Sequence, residues 1–337
     1  MSTTLHDVAR LAGVSIKTVS NVINSYPHIR PATRERVERA IAELGYTPNL
    51  TARNLRSGRT GAITLALPYL GLSYFAELAA AVIAEAEKLS LVVLVEQTGG
   101  DRDRELDLLK SPRLKLTDGL IFSPLGMSQD DIDALTVSYP LVLLGERIFN
   151  APVDHITMRN IDAARAATDY LLGLGRRRIA VVGAHEGEVF GSAGLRLRGY
   201  REALERAGIA YDPNLVSYAT LWHRSNGARS MRELLDRGIP FDAVFGLNDT
   251  LALGAMRALQ EAGRRVPDDI LVMGFDNLDE AGYSIPSLTT VDPGQPWIAR
   301  TAVQTLHRRI TGHSSLPPVA AQFAEFEIVA RESAPAG

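Results

Sequence analysis

The sequence predicts an all-α head followed by an α/β body of two doubly wound parallel-sheet lobes. The chain has 337 residues, more than one ordinary hydrophobic core can use, so two or more domains are expected. Up to about residue 60 it contains only short segments with apolar residues at helical spacing. From there onward strand-like apolar runs alternate with amphipathic runs, and the series restarts near residue 160.

Composition favours a globular protein of the cell interior. Hydrophobic residues make up 46% of the sequence, but the longest apolar runs, such as LSLVVLV, have only the length of a strand. The opening MSTTLHD lacks the basic and apolar regions of a signal peptide. There are no cysteines, which excludes disulfides and thiolate metal sites and fits a reducing compartment. We therefore expect a cytoplasmic protein with no membrane partner.

Charge is distributed unevenly along the chain. The first 60 residues carry nine Lys and Arg against four Asp and Glu, whereas the whole chain has a net charge of −3. A basic head on an acidic body predicts that the head binds a polyanion such as nucleic acid. An ordinary solvated basic face is the alternative that charge alone leaves open.

The head opens with two short amphipathic segments separated by a glycine. The stretch TLHDVARLAGVSIKTVSNVIN has helical spacing first in Leu5–Ala12 and again in Ser15–Ile23. Gly13 can adopt the left-handed conformation that ends a helix, and Ser15 can cap the next helix. A third helix is expected over 31–44. The apolar face of the first helix is expected to comprise Val8, Leu11 and Ala12. This is the helix-turn-helix pattern, whose second helix lies in the major groove of DNA; a protein-binding helical hairpin is the alternative.

Polar residues of the head fall where such docking needs them. Lys can donate to guanine, Asn can pair with adenine and Ile can contact a thymine methyl group. The candidates for base reading are Ile16, Lys17, Ser20 and Asn21. Side chains that donate to phosphates fix the register without reading sequence. The candidates for phosphate contact are Thr4, Ser15, Thr18, Asn24, Thr33 and Arg53.

The segment NLTARNLRSGRTGAI, which follows the head, holds a single helical turn. Ala52 and Leu55 bracket this turn, and Arg53 and Arg56 lie beside them. A turn this short is not stable alone, so we expect it to order only when something docks on it. A leucine flanked by arginines fits a wedge in the minor groove of DNA. A plain linker is the alternative.

The body is expected to bind a small ligand at the carboxyl ends of its strands, where open parallel sheets bind ligands. Charged and amide groups there can bind neighbouring hydroxyls, and aromatic rings can stack on a sugar or a base. The candidates for this site are Phe75, Ser123, Arg196, Trp222, Asn248 and Asp276. Three of them have plainer alternatives: Arg196 as a surface ion pair, and Trp222 and Phe75 as core residues. Asp249 is expected to cap the helix DTLALGAMRAL.

The stretches TLHDVARLAGVSIKTVSNVIN and TRERVERAIAELGYTPNLTARNL closely resemble the lactose-repressor (LacI/GalR) family of bacterial transcription regulators. The similarity continues through nearly the whole chain, including NDTLALGAMRAL and GFDNLDEAGYSIPSLTTV. It implies that the body resembles periplasmic binding proteins and that Leu55 wedges into the minor groove at the centre of a palindromic operator. It also implies that Arg196, Asn248 and Asp276 contact an effector, often a sugar, and that Trp222 forms an aromatic wall.

The sequence departs from the family at a few positions near this site. Many members have Asp-Asn where this chain has Arg159-Asn160, and an aspartate where it has Gly145. Gln295-Pro296-Trp297 falls where another aromatic residue of the site sometimes lies. An effector copied from a named relative is therefore not expected to fit without change.

The expected domains follow from these patterns. Residues 1–48 form the helix-turn-helix domain, 49–59 the hinge, and 60–337 the body. Likeness to the family predicts that the chain crosses back between the lobes late in the sequence. The first lobe is then expected to comprise 60–159 plus 292–315, and the second 160–291 plus 316–332.

Together these features predict a ligand-responsive transcription repressor. It is expected to bind double-stranded operator DNA as a homodimer, without a coiled-coil tail, and to respond to a small effector that is a carbohydrate. No cofactor, metal or catalytic residue is expected, because the sequence has no G-x-G-x-x-G, P-loop, nucleophile elbow or metal-ligand histidine spacing. The alternative is a two-lobed small-molecule binding protein, or an enzyme of sugars or nucleotides, that does not act on DNA.

Overall fold

The structure is a computed structural model that describes residues 3–23, 26–46, 59–313 and 321–336. It divides into two compact units, one up to Thr60 and one from Gly61 onward. Most of the expected hinge lies outside the described residues, and so do the site candidates Asn24, Ala52, Arg53, Leu55 and Arg56. Within the described ranges, every helix is too short or too polar to cross a bilayer.

The head consists of three helices, as the sequence predicts. They are α1 (Leu5–Ala12), α2 (Ile16–Ile23) and α3 (Pro31–Glu43). The Thr4 hydroxyl accepts a hydrogen bond from the backbone of Asp7, whose carboxylate accepts one from the Thr4 backbone, so a capping box starts α1. Gly13, with φ of 62°, ends it in the left-handed conformation.

The core of the head differs from the prediction at one position. Val8, Ala9 and Ala12 of α1 are buried, but Leu11 is 46% exposed. The expectation that Leu11 belongs to the apolar face is wrong: the buried face extends from Val8 and Ala12 to Ala9, on the opposite flank. The small side chain of Ala9 lets a neighbouring helix approach closely, and a neighbouring helix shields Ala9 from solvent better than it shields Leu11.

The body is built from strands that alternate with helices. The described strands are β1 (Ala62–Leu67), β2 (Val92–Gln97), β3 (Leu120–Phe122), β4 (Leu141–Leu144), β5 (Asp154–Met158), β6 (Ile179–Ala184), β7 (Val216–Tyr218), β8 (Ala243–Gly246), β9 (Leu271–Met273), β10 (Thr290–Asp292), β11 (Gln322–Ala324) and β12 (Glu327–Val329). The helices are α4 (Ser73–Glu87), α5 (Arg102–Leu109), α6 (Asn160–Gly173), α7 (Ser192–Arg206), α8 (Arg224–Asp236), α9 (Asp249–Glu261), α10 (Asp279–Tyr283) and α11 (Gln295–Arg308).

Two parallel sheets define the two lobes of the body. The sheet of the first lobe has the order β11-β5-β4-β3-β1-β2, and that of the second lobe has the order β7-β6-β8-β9. Strands β4, β5, β6 and β8 are buried over their whole length, as expected when helices cover both faces of a parallel sheet. A further antiparallel pair joins β10 to β12.

The late part of the chain differs from the prediction. The expectation assigned 316–332 to the second lobe, but β11 pairs in parallel with β5 and extends the sheet of the first lobe. Helix α11 leads up to this position, since it packs against α4 and against the first-lobe strands β3, β4 and β5. A strand of three residues carries no periodicity that tells which of two sheets it joins, so the sequence could not make this assignment.

Candidate functional site

A cavity of about 1090 Å³, counting its open mouth, lies between the two lobes of the body. Many of its lining residues follow the carboxyl ends of the strands, as expected for parallel sheets. The structure brings together here all the residues that the sequence nominated for ligand binding: Phe75, Ser123, Arg196, Trp222, Asn248 and Asp276. Phe75 and Ser123 come from the first lobe and the other four from the second. A ligand in this cavity would therefore contact both lobes.

Arg196, on the first turns of α7, is the central charged group of the cavity. It is 2% exposed, which rules out the alternative of a surface ion pair. Its Nε donates to Asn160 Oδ1 at 2.8 Å, and its Nη1 donates to the backbone carbonyl of Leu247. Its Nη2 lies 3.3 Å from Asp276 Oδ1. The guanidinium also stacks over the Phe275 ring, 3.6 Å from its centroid, so it is fixed on several sides.

Asp276 is the buried carboxylate that faces this arginine. Burial raises its pKa, although the charge of Arg196 pulls that pKa down and favours the ionised form. Its backbone has a φ of 116°, a conformation that side chains other than glycine rarely adopt. Its backbone N–H donates to the carbonyl of Val291 in β10, which helps to hold this conformation. The strained backbone is consistent with a functional position rather than a packing residue.

Asn248 has the capping role that the sequence gave to Asp249, and it lines the cavity as well. Asn248 caps α9, because its Oδ1 accepts a hydrogen bond from the Leu251 N–H at 2.8 Å; the expectation that Asp249 is the cap is wrong. The Asp249 carboxylate instead accepts from the Thr290 hydroxyl and from the Leu278 N–H. Both residues carry an oxygen at the right distance for a cap, so composition alone could not choose between them.

Aromatic rings line the cavity from both lobes. Trp222 Nε1 donates to the Gly183 carbonyl at 2.9 Å, which fixes the ring, and Arg196 lies 5.4 Å from its centroid. On the other lobe Phe75 packs edge to face on Tyr74, with ring centroids 5.2 Å apart. Apolar ring faces with a few fixed polar groups suit a ligand that has both hydroxyls and C–H surface.

The structure adds residues that the sequence analysis did not nominate. These are Tyr69, Tyr74, Glu146, Arg147, Thr157, His185 and Glu188. Two of them could have been predicted from their position after the carboxyl end of a strand: His185 comes directly after β6, and Glu146 comes two residues after β4. Thr157 lies inside β5, where this criterion gives no signal.

Two of the departures from the family pattern lie away from the cavity lining. Arg159 pairs with Glu325 at 3.1 Å and lies over the Phe323 ring. Trp297 is 38% exposed and does not line the cavity, whereas its neighbour Ile298 does. The third departure, Gly145, lines the cavity with a φ of 90° and leads directly into Glu146 and Arg147.

In the head, the four base-reading candidates lie on α2. They are two adjacent pairs four residues apart, so they share one side of the helix. Lys17 is exposed, whereas Ile16, Ser20 and Asn21 are half-buried, and Ile16 packs against the head core. Among the phosphate candidates, the hydroxyls of Ser15 and Thr18 lie 2.9 Å apart. Thr4 is exposed and Thr33 is half-buried. Their roles toward DNA remain predictions.

Comparisons with known proteins cover both units of the chain. Residues 4–49 match the lacI family of bacterial regulatory proteins, and residues 168–334 match the periplasmic binding protein-like domain. The chain is 37% identical to the HTH-type transcriptional regulator CelR of Thermobifida fusca, over 93% of this chain and 94% of that one. It is 34% identical to the ribose operon repressor of Haemophilus influenzae, over 91% of this chain and 92% of that repressor.

Solved structures extend the likeness. A LacI-family regulator from Sanguibacter keddieii is 52% identical, with a TM-score of 0.76, and covers 82% of this chain and 99% of its own. The complex of CelR with cellobiose is 33% identical, with a TM-score of 0.71 and coverage of 98% and 99%. The lac repressor dimer bound to operator and an anti-inducer is 30% identical, with a TM-score of 0.82 and full coverage of both chains.

A helix-turn-helix head joined to a two-lobed body with a cavity between the lobes defines a DNA-binding transcription regulator. The chain belongs to the lacI family of bacterial regulatory proteins. The relatives named above are transcription regulators, which supports this function and not the alternative of a binding protein or enzyme that does not act on DNA.

Proposed function

We propose that this regulator is a repressor that binds a near-palindromic operator as a homodimer, and that a neutral carbohydrate in the cavity between its lobes changes its affinity for DNA. Cellobiose in the CelR complex supports a sugar as the class of effector. The observation that carries the proposal is the clustering of hydroxyl-binding and aromatic side chains from both lobes around one cavity.

The ion pairs of the cavity argue against an anionic ligand. Arg196 is paired with Asp276, and Arg147 is paired with Glu188 at 3.1 Å. Each of these cationic side chains thus already has a carboxylate, and an anionic ligand would have to break one of the pairs at a cost on the order of 3–5 kcal/mol for a buried pair. A neutral polyhydroxylated ligand can instead add hydrogen bonds to groups that keep their partners.

For DNA, we assign base reading to α2. Lys17 would donate to guanine, Asn21 would pair with adenine, Ile16 would contact a thymine methyl group, and Ser20 would bind a base edge. The phosphate contacts are assigned to Thr4, Ser15, Thr18, Asn24, Thr33 and Arg53. Ala52, Leu55 and Arg56 would form the minor-groove part of the hinge.

A second copy of this chain is the partner that suits the exposed apolar surface of the body. β2 is an edge strand of the first sheet, and its Val92, Leu94 and Val95 are exposed. On the second lobe Tyr283 and Ile285 are 81% and 87% exposed. Edge strands and large apolar side chains left in water are typical of surfaces that are covered by a partner. A two-fold dimer would place two heads on the two half-sites of a palindrome.

The coupling between cavity and DNA would run through the orientation of the lobes. A sugar that contacts both lobes would favour one orientation, and the hinge 49–59 would order on DNA only in the orientation that suits it. Because binding free energies are linked, DNA must change the affinity for the sugar by the same factor as the sugar changes the affinity for DNA.

The test begins with selection of bound duplexes from a random-sequence pool, followed by affinity measurement with cellobiose, D-glucose and D-ribose. A near-palindromic consensus, affinity that falls steeply with salt and a shift in operator Kd with one of the sugars would support the proposal. Absence of any consensus would overturn the role in DNA binding. A consensus with no response to any sugar would overturn the class of effector.

A further inference from the structure

A polar cluster on the cavity wall joins the two lobes directly. Arg147 follows β4 in the first lobe, and His185 and Glu188 follow β6 in the second. Arg147 Nη1 donates to Glu188 Oε2 at 3.1 Å and to the Phe190 carbonyl at 3.0 Å. Glu188 Oε2 in turn lies 2.8 Å from His185 Nδ1. These three side chains, which we call the interlobe relay, all line the cavity.

Two glycines let the loop of the second lobe take this path. Gly191 has a φ of 112°, and a β-carbon there would lie 2.7 Å from Arg147 Nη1. A β-carbon at Gly194 would lie 2.4 Å from the backbone carbonyl oxygen of Glu188. The backbone N–H of Gly194 also donates to Glu188 Oε1 at 3.2 Å. The glutamate is therefore held in place from its own loop as well as by Arg147.

The relay fixes which nitrogen of a neutral His185 carries the proton. Burial raises the pKa of Glu188, but the hydrogen bond from His185 and neighbouring positive charge, that of Arg147 included, hold the net pKa below its ordinary value. An ionised carboxylate only accepts hydrogen bonds, so Nδ1 of His185 must donate. Nε2 of the neutral ring is then a hydrogen-bond acceptor.

That acceptor has no partner within the protein. Among the described residues, His185 Nε2 and Thr157 Oγ1 are shielded from solvent and lack a hydrogen bond, and both side chains line the cavity. The His185 ring lies 5.6 Å from the Trp222 ring. A shielded polar atom without a partner is energetically unfavourable, and a ligand hydroxyl would supply the missing hydrogen bond.

We propose that His185 and Thr157 are ligand contacts, and that the interlobe relay presents His185 Nε2 to a hydroxyl of a neutral glycoside or sugar seated against Trp222. The inference rests on the proposed function, since it assigns two further contacts to the same cavity. Arg147 reaches Glu188 across the cleft, so the relay is complete only when the lobes have the spacing seen here. Recognition of one hydroxyl and closure of the lobes are therefore the same event.

Two substitutions at His185 separate the ligand contact from a structural role. In His185→Asn the side-chain amide can still donate to Glu188 in place of Nδ1, but nothing replaces Nε2. In His185→Gln an amide oxygen can take the place of Nε2, but the donor to Glu188 is lost. Calorimetric titration with cellobiose, D-glucose and D-ribose should show a Kd about tenfold higher for His185→Asn and within about threefold of the native value for His185→Gln.

The opposite order, equal losses, or no loss in either variant would overturn the ligand contact. Thr157→Val, which keeps the shape of the side chain and removes its unpartnered hydroxyl, should raise the same Kd without lowering the unfolding midpoint. It decides the matter if His185→Asn does not fold; an unchanged Kd in Thr157→Val would then count against the site. Glu188→Gln should weaken binding, whereas its control in the same loop, the exposed Glu186→Gln, should not.

Failure of the inference and failure of the proposed function give different results. If one of the three sugars binds the native protein and Arg196→Ala removes that binding, the proposed effector class holds, whatever His185 does. If that sugar binds His185→Asn as tightly as the native protein, the inference alone is wrong. If none of the three binds the native protein, the class of effector is wrong and the inference falls with it.

Discussion

The Arg196 guanidinium lies 3.3 Å from the Asp276 carboxylate, and both side chains are almost fully buried at the edge of a ligand-sized cavity. An ion pair in such a place contributes little net stability, because desolvation offsets most of the attraction. Asp276 also holds a backbone conformation that costs about 1–3 kcal/mol. The pair is better explained by ligand binding than by folding.

Replacing both members of this pair separates their role in ligand binding from their role in the stability of the fold. Arg196→Met alone should destabilise the body by about 3–5 kcal/mol, because it leaves the Asp276 carboxyl buried without its partner. Adding Asp276→Asn should recover much of that loss, yet the double variant should not respond to any sugar, while operator binding persists. Urea unfolding and operator titration give the two readouts. A double variant that still responds would remove Arg196 and Asp276 from the effector site.

The buried Asp249 makes a pH-dependent contribution to stability. Burial raises its pKa to about 7, above the value near 4 in the unfolded chain, so the folded state binds the proton more tightly. The stability it contributes is present below about pH 4 and is lost as the pH rises through 7, at up to about 1.4 kcal/mol per pH unit.

Asp249→Asn removes this titration and keeps the contacts. The amide oxygen can accept from the Leu278 N–H, and the amide NH2 can donate to the Thr290 hydroxyl. Urea unfolding should therefore show that the free energy of unfolding of the variant increases relative to that of the native protein as the pH rises from 5 to 8. Parallel curves over that range would mean that Asp249 titrates as an ordinary carboxyl.

Lys17 and Arg53 test the split between base reading and phosphate contact. Lys17→Ala should relax the base preference at one position of each half-site, lowering the discrimination against other bases there by about 1–3 kcal/mol. Arg53→Ala should weaken binding to all sequences alike and reduce the slope of affinity against salt. Duplexes with single base changes, titrated at two salt concentrations, distinguish the effects. The same loss on every duplex for both variants would refute the split.

Val8 and Leu11 form a matched pair for the core of the head. Val8 is fully buried, so Val8→Ala should destabilise the head by about 1–3 kcal/mol. Leu11→Ala should change stability by less than about 0.5 kcal/mol, because nearly half of the side chain is in water. Thermal unfolding followed by circular dichroism measures both. A larger loss at Leu11 would restore the apolar face that the sequence pattern first indicated.

Leu94 tests the proposed dimer. A charge at this exposed position of the edge strand β2 should oppose contact with a second copy, so Leu94→Lys should sediment as a monomer at concentrations where the native chain sediments as a dimer. Lys88→Leu, at an exposed position just after α4, serves as a control that should leave the dimer intact. A dimer that survives Leu94→Lys would place the interface elsewhere.

The sequence located the cavity well because its rule is topological. Parallel strands end at one edge of a sheet, so residues that follow Ile121-Phe122 or Val272-Met273 must converge there whatever the details of packing. The sequence missed Thr157 and the interlobe relay for the opposite reason. Thr157 lies within a strand, and the pairing of Arg147 with Glu188 depends on how the two lobes sit, which no local pattern encodes.

The other errors of the sequence analysis also concern contacts between separate elements. The burial of Ala9 rather than Leu11 depends on which side of α1 the other helices cover. The two residues lie about 200° apart around the helix and flank Val8 and Ala12 on opposite sides, so the sequence pattern does not show which flank is covered. The pairing of β11 with β5 depends on the position of α11, a contact between elements far apart in sequence. Periodicity gave the type of each of these elements but not its neighbour.

Coupling between the cavity and the DNA-binding head is what would make this regulator respond to a sugar. Its most direct test measures operator Kd with and without a saturating concentration of the sugar that binds, and sugar Kd with and without saturating operator. Both ratios should be equal and lie at about 5–150-fold. Operator affinity that stays the same when the cavity is filled would contradict it.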